Sequence, residues 1–167
     1  VLAAFYPPQA PGDDDAFWGA IAATISDHDA EMTAFLDSAP QTNEVVRSAV
    51  LLGGFLQIAA ATGMPLALHE LGASAGLNLL FDRYAYDLGE NRRWGDATSP
   101  VRIGSDWTGA APALDTPLRI ASRAAVDLRP VNARSRGDRE RMLAYIWPAQ
   151  TERLRRIDPA PDIVAAS

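Results

Sequence analysis

A chain of 167 residues, 48% hydrophobic and 22% charged, is enough for one globular domain with a sizeable core and too short for two. Its formal charge of -6 makes nucleic acid an unlikely partner surface on electrostatic grounds. The absence of cysteine excludes disulfides, thiolate catalysis and cysteine zinc sites, and fits a cytoplasmic location.

Two histidines, His28 and His69, without an HExxH spacing, argue against a metal centre. No stretch reaches the roughly 18 apolar residues of a membrane span, because Arg47 and Gln57 interrupt the best candidate at 45–61. The opening VLAAFYPP is too short for a signal peptide and has no basic lead. It also lacks an initiating methionine, so a fragment or processed product is expected.

Pro7, Pro8, Pro11 and Gly12 predict an irregular lead-in, and Asp13, Asp14 and Asp15 a helix start. Phe17, Ile21, Ile25, His28, Met32 and Phe35 recur at helical spacing, predicting a helix over 14–37 with a break near Ser26-Asp27. On that stripe His28 reads as a packed, hydrogen-bonded histidine. A second helix is expected over 43–62, capped by Thr42 or Asn43 and stopped by Gly63. Gly53-Gly54 in its middle costs about 1 kcal/mol per glycine relative to alanine, which points to close packing or a kink. Asn43, Glu44 and Arg47 read either as a cap with a surface ion pair or as the wall of a pocket.

The stretch 65–83, PLALHELGASAGLNLLFDR, reads as strand, glycine turn, helix. Such a turn lies at the carboxyl end of a sheet strand, where α/β proteins bind ligands. Its glycines allow close backbone approach, and the first amides of the following helix can take anionic groups. Beyond it, strands are expected at 84–88, at Val101-Arg102-Ile103 and within 118–128, with Trp94 and Trp107 anchoring loops to the core. Asp138 is the expected cap of a last helix carrying Met142, Leu143, Ile146 and Trp147, which Pro148 bends or restarts. The tail after Pro159 reads as weakly structured. The seven arginines between Arg134 and Arg156 read as solvated helix surface offset by acids.

Gly72-Ala73-Ser74-Ala75-Gly76 fits two chemistries. As a GxSxG elbow it would make Ser74 a nucleophile. That reading is disfavoured, because an acid and then a histidine must follow in the chain and both histidines precede Ser74. The alternative joins the turn to the acid before it: Glu70-Leu71-Gly72-Ala73-Ser74-Ala75-Gly76 resembles the first motif of Rossmann-like S-adenosylmethionine-dependent methyltransferases. Gly72 and Gly76 match its first and third glycines, and Ser74 replaces the second. The resemblance implies that S-adenosylmethionine is the cofactor, that Glu70 organises its methionine end and that Gly72, Ser74 and Gly76 pass close to it. The ribose-binding acid is expected roughly 20 residues on. Asp87 and Glu90 lie at that distance, while Asp127 has the better local pattern of apolar strand, acid and turn, and requires an insertion at about 84–117.

The chain as a whole is similar to an uncharacterised bacterial family, domain of unknown function 2332. The similarity rests on Asn43-Glu44-Val45 with Arg47-Ser48, on Glu70 through Tyr84, and on Trp94-Gly95-Asp96. It continues through Ser99-Pro100-Val101-Arg102, Asp127-Leu128 with Pro130-Val131, and Tyr145-Ile146-Trp147-Pro148-Ala149-Gln150. It implies a parent about twice this length but no established reaction. The expectation is therefore an α/β fold: a helical part over 1–63 packed on a partial Rossmann-like unit over 64–167. A methyltransferase acting on a small-molecule or protein acceptor is the leading function, and a non-catalytic interaction domain on the same fold is the rival. Uncovered strand edges would favour self-association.

Overall fold

Leu66-Ala67-Leu68 and the residues after them form a strand, β1 (Leu66–Leu71), in the computed structural model, which describes residues 2–6, 9 and 12–166. β1 pairs in parallel with β5 (Ile120–Val126), in a register running from Leu66 opposite Ile120 to Leu71 opposite Val126. Between them lies a second sheet of three short strands, β2 (Ala85–Asp87), β3 (Arg93–Gly95) and β4 (Arg102–Gly104), in the order β3-β2-β4. The fold is thus mixed α/β with two small sheets, not a complete doubly wound sheet. The expected strands at 84–88, 101–103 and 118–128 are β2, β4 and β5. β3, built around Trp94, was not anticipated, because three residues are too few to show alternation.

The core joins the helix α3 (Arg47–Thr62), the small sheet and the C-terminal helices. Leu52 and Leu56 of α3 meet Phe81, Tyr84, Tyr86, Leu88, Val101 and Ile103, all buried. Phe81 stacks between Phe55, at a centroid distance of 4.6 Å, and Trp94, at 6.2 Å. The buried Tyr84 hydroxyl donates to Leu77 O at 2.5 Å, and that of Tyr86 sits between Phe81 O at 2.8 Å and Ser48 Oγ at 2.9 Å. Burial raises both phenols, so they remain protonated donors. The segment 84–117 therefore supplies core residues as well as loops.

α3 ends as expected, with Gly63 in a left-handed cap whose N–H reaches Ala59 O. It begins later than expected, at Arg47, because Asn43 and Glu44 spend their side chains elsewhere. Glu44 Oε1 accepts from Val46 N, and Oε2 lies 3.0 Å from Arg153 Nε. Gly53 packs against Trp107, whose ring occupies the space of any Cβ there, whereas Gly54 faces open space.

Several expectations for the two ends are corrected. The N-terminal helix breaks at His28 into α1 (Asp14–Asp27) and α2 (Asp29–Leu36), but neither helix buries a residue, and Trp18 is 64% exposed. His28 is not packed: its side chain is 53% exposed and bonds Glu31 one turn on. Pro7, Pro8 and Pro11 lie outside the described residues, and a 3-10 helix, Leu2–Phe5, precedes them. At the other end α4 (Arg136–Ala144) is capped by Ser135 and not Asp138, whose carboxylate instead accepts from Asn132 N. Trp147 is exposed, Pro148 does precede a new helix, α5 (Thr151–Ile157), and the tail is not weakly structured but forms α6 (Ala160–Ala166), with Ala160 buried. Arg153 and Arg156 are not solvated either. They turn inward on Glu44, at 3.0 and 3.8 Å.

Candidate functional site

Because β1 and β5 are parallel, their carboxyl ends emerge at one edge, and the glycine turn 72–76 and Asp127 meet there. Gly72, Ser74 and Gly76 have φ of 68°, 52° and 68°. Glycine adopts such angles freely, whereas a left-handed residue with a side chain costs about 1–2 kcal/mol. Ser74 is held there from both sides: its N–H donates to Asp127 Oδ2 at 2.7 Å, and its carbonyl accepts from Val131 N at 3.0 Å.

The other amides of the turn are also spent within the chain. Those of Gly72 and Ala73 donate to Val126 O, that of Ala75 to Asn43 Oδ1, and that of Gly76 to Ala73 O. The segment that follows is a seven-residue 3-10 helix, Leu77–Arg83, kinked at Leu80, and not an α-helix. Arg123 of β5 fixes it by gripping both carboxylate oxygens of Asp82 at 2.6 Å and donating to Leu79 O. The amides of residues 72–76 are therefore taken up within the chain, which leaves those that open the 3-10 helix as the ones to meet the expectation of anion binding. The side chains around the turn offer further groups for recognition.

Those side chains are conspicuous for what they lack. Among the described residues, the buried side-chain polar atoms without a hydrogen-bond partner include Asn43 Nδ2, Glu70 Oε2, Ser74 Oγ and Asn78 Oδ1. All four belong to the strand, the turn and the segments touching it. The others, Tyr145 Oη, Arg153 Nε and Arg156 Nε, lie elsewhere; an unpaired buried polar atom costs about 1–3 kcal/mol, and the four at the turn make it a candidate place for a bound polar group or ordered water. Burial pushes the Glu70 carboxyl up, against the opposing pull of the Asn78 amide and the Arg47 charge.

Two hollows open beside the turn. One, of about 630 Å³, is bounded by 37–42 on one side and by Gly72, Ser74 and Asp127–Arg129 on the other. The second, of about 330 Å³, is lined by Val50, Leu51, Glu70 and Asn78. Arg47 lines both. A Cβ on Gly72 would meet nothing within 4 Å, which leaves room for close approach there.

Asp127 reaches the turn, but its carboxylate is already employed. Besides Ser74 N it accepts from Arg129 N at 2.8 Å and from Gln41 Nε2 at 3.4 Å. The Arg129 and Ser74 amides hold it below the usual carboxylate range. Asp87 and Glu90 are elsewhere, on β2 and the turn after it, beside Arg93 at 3.8 Å and Arg92 at 3.0 Å. Of the pocket-wall residues anticipated at the start of α3, Arg47 lines both hollows and Asn43 touches the turn, while Glu44 faces Arg153. Arg129, Asn78 and the 37–42 segment were not anticipated, since nothing in their local pattern distinguishes them from ordinary loop residues.

Among the described residues no triad surrounds Ser74, and its hydroxyl has no hydrogen-bond partner there. Among the described residues no group of three or more His, Cys, Asp or Glu could hold a metal ion, and no helix is long and apolar enough to cross a membrane. No curated protein and no solved structure matches the chain. The model of one bacterial family, described as an uncharacterized protein conserved in bacteria, matches residues 1–167, and the chain belongs to that family, DUF2332.

Proposed function

We propose that the turn between β1 and the 3-10 helix binds S-adenosylmethionine or a closely related nucleoside, and that the activity is methyl transfer to a small-molecule or protein acceptor. The observation that carries this reading is the set of unpaired buried polar atoms on Glu70, Ser74, Asn78 and Asn43 around a left-handed turn at the carboxyl edge of a parallel strand pair. The residues fit such a ligand. Glu70 Oε2 and Asn78 Oδ1 are acceptors suited to an ammonium group, Arg47 is suited to a carboxylate, and the adjoining hollows fall in the usual size range for small-molecule sites.

When bound, the cofactor supplies an electrophilic methyl group. The chain's own contribution is to bind and orient. Glu70 takes the amino end, Gly72 and Gly76 let the backbone approach, and Asp127 takes ribose hydroxyls on the lone pair that Gln41 holds only at 3.4 Å. Catalysis by positioning needs no more than this from the protein, together with exclusion of water. The net charge of -6 favours a small-molecule or protein acceptor over nucleic acid.

Isothermal titration with S-adenosylmethionine and S-adenosylhomocysteine tests the proposal. Saturable binding, weakened about tenfold or more in E70A by the loss of a charge-assisted hydrogen bond, is expected. No heat at millimolar ligand would overturn it.

A further inference from the structure

We propose that residues 37–42 form a strap that latches across the larger hollow, and that ligand binding and strap closure compete for Asp127. This rests on the nucleoside-binding reading for the identity of the ligand, but the strap itself is defined by the protein alone. The side-chain hydrogen bonds that hold it converge on the three residues after β5, Asp127–Arg129. Arg129 Nη1 donates to Ser38 Oγ at 2.6 Å and to Asp37 O at 3.2 Å, while Gln41 Nε2 donates to Arg129 O at 2.8 Å and to Asp127 Oδ1 at 3.4 Å. Asp127 is in turn the acceptor that fixes Ser74 in its left-handed conformation. The latch and the glycine turn therefore share one carboxylate.

The donors on that carboxylate differ in how readily they give way. The amides of Ser74 and Arg129 are backbone groups fixed by the fold, at 2.7 and 2.8 Å. Gln41 is a side chain on the strap, at the longest distance of the three. A ligand hydroxyl arriving at Asp127 replaces Gln41 before it replaces either amide. Among the described residues no further side-chain hydrogen bond ties 37–42 to the rest of the chain. α1 and α2, which precede it, bury none of their residues, and a ring contact from Phe35 to Tyr145 at 5.1 Å joins α2 to the body. The Gln41 amide thus stands where the ligand's donor belongs: displacing it removes the strap's one bond to Asp127, and the strap with the two helices attached is released as the remaining bonds to Arg129 yield. Linkage makes the coupling reciprocal: whatever opens the strap tightens the ligand, and the ligand opens the strap.

The chain has no cysteine, so T33C and S122C place one spin label on exposed α2 and one on the exposed face of β5. Pulsed-dipolar distances between them then read the strap directly. The parent should give one narrow distribution, and Q41A and R129A should each add a second, displaced population. An unchanged narrow distribution in both variants would overturn the proposal whether or not any ligand binds. In the ligand arm, Q41A should bind S-adenosylhomocysteine about fivefold more tightly than the parent, the value of one weak hydrogen bond. Gln41 acting as a ligand contact would weaken binding instead and would also overturn it. If the parent shows no heat with this ligand, the functional reading fails while the distance measurement still decides the strap.

Discussion

Glu70 combines burial, an unpaired oxygen and a raised carboxyl, and its titration separates a binding role from a stabilising one. A carboxyl raised in the folded state holds its proton more tightly there than in the unfolded chain. Its contribution to stability is then complete below the unfolded value, about 4.3, and is lost as pH rises through the folded value. At neutral pH the ionised group is a net cost. E70Q is therefore expected to melt at a higher temperature than the parent at pH 7, with the gap closing as the pH falls toward 4. A gap that is reversed, or that does not change with pH, would show that Glu70 is stabilised by its neighbours. Higher stability with weaker ligand binding is the signature of a group kept for function. The acid was legible in the sequence because it stands two residues before a glycine turn. Its unpaired oxygen was not, since that depends on Asn78 and Arg47 arriving from two other segments.

At the scale of elements, the strand–turn order over 65–76 was readable because a short apolar run and two glycines are local signals. The helix expected to follow was misread for a non-local reason. Leu77, Leu80 and Phe81 bury into the core while Arg123 grips Asp82 and Leu79 O, and the segment tightens into a kinked 3-10 turn. The same distinction governs the two glycines of α3. Propensity treats them alike, yet only Gly53 has Trp107 against it. G54A should be neutral or stabilise by up to about 1 kcal/mol. G53A should lose about 1–3 kcal/mol to overpacking, offset by about 1 kcal/mol of helix propensity. Urea denaturation of the two variants measures the difference. Equal effects would show that the Trp107 contact does not constrain α3.

For the whole molecule, the parallel pair is notably bare. Each of its strands has one neighbour, and one face carries Leu71, 86% exposed, with His69 and Val126 beside it. The exposed apolar positions of α1 and α2 have the spacing of a core-facing stripe, so nothing in their pattern warns that they lie exposed. Burial is concentrated instead where α3, the small sheet and the C-terminal helices meet. Two of the molecule's hollows are of similar size, about 630 Å³ at the glycine turn and about 640 Å³ on the small sheet beside Arg93, Trp94 and Arg102. Volume does not choose between them; the unpaired polar atoms on Glu70, Ser74 and Asn78 are the reason the ligand is proposed at the turn. Amide chemical-shift mapping of the ¹⁵N-labelled protein titrated with S-adenosylhomocysteine makes the choice directly. The account predicts saturable shifts centred on 70–78, with further shifts at 41–47 and 127–129. Shifts centred on 85–104, or none at saturating ligand, would contradict it.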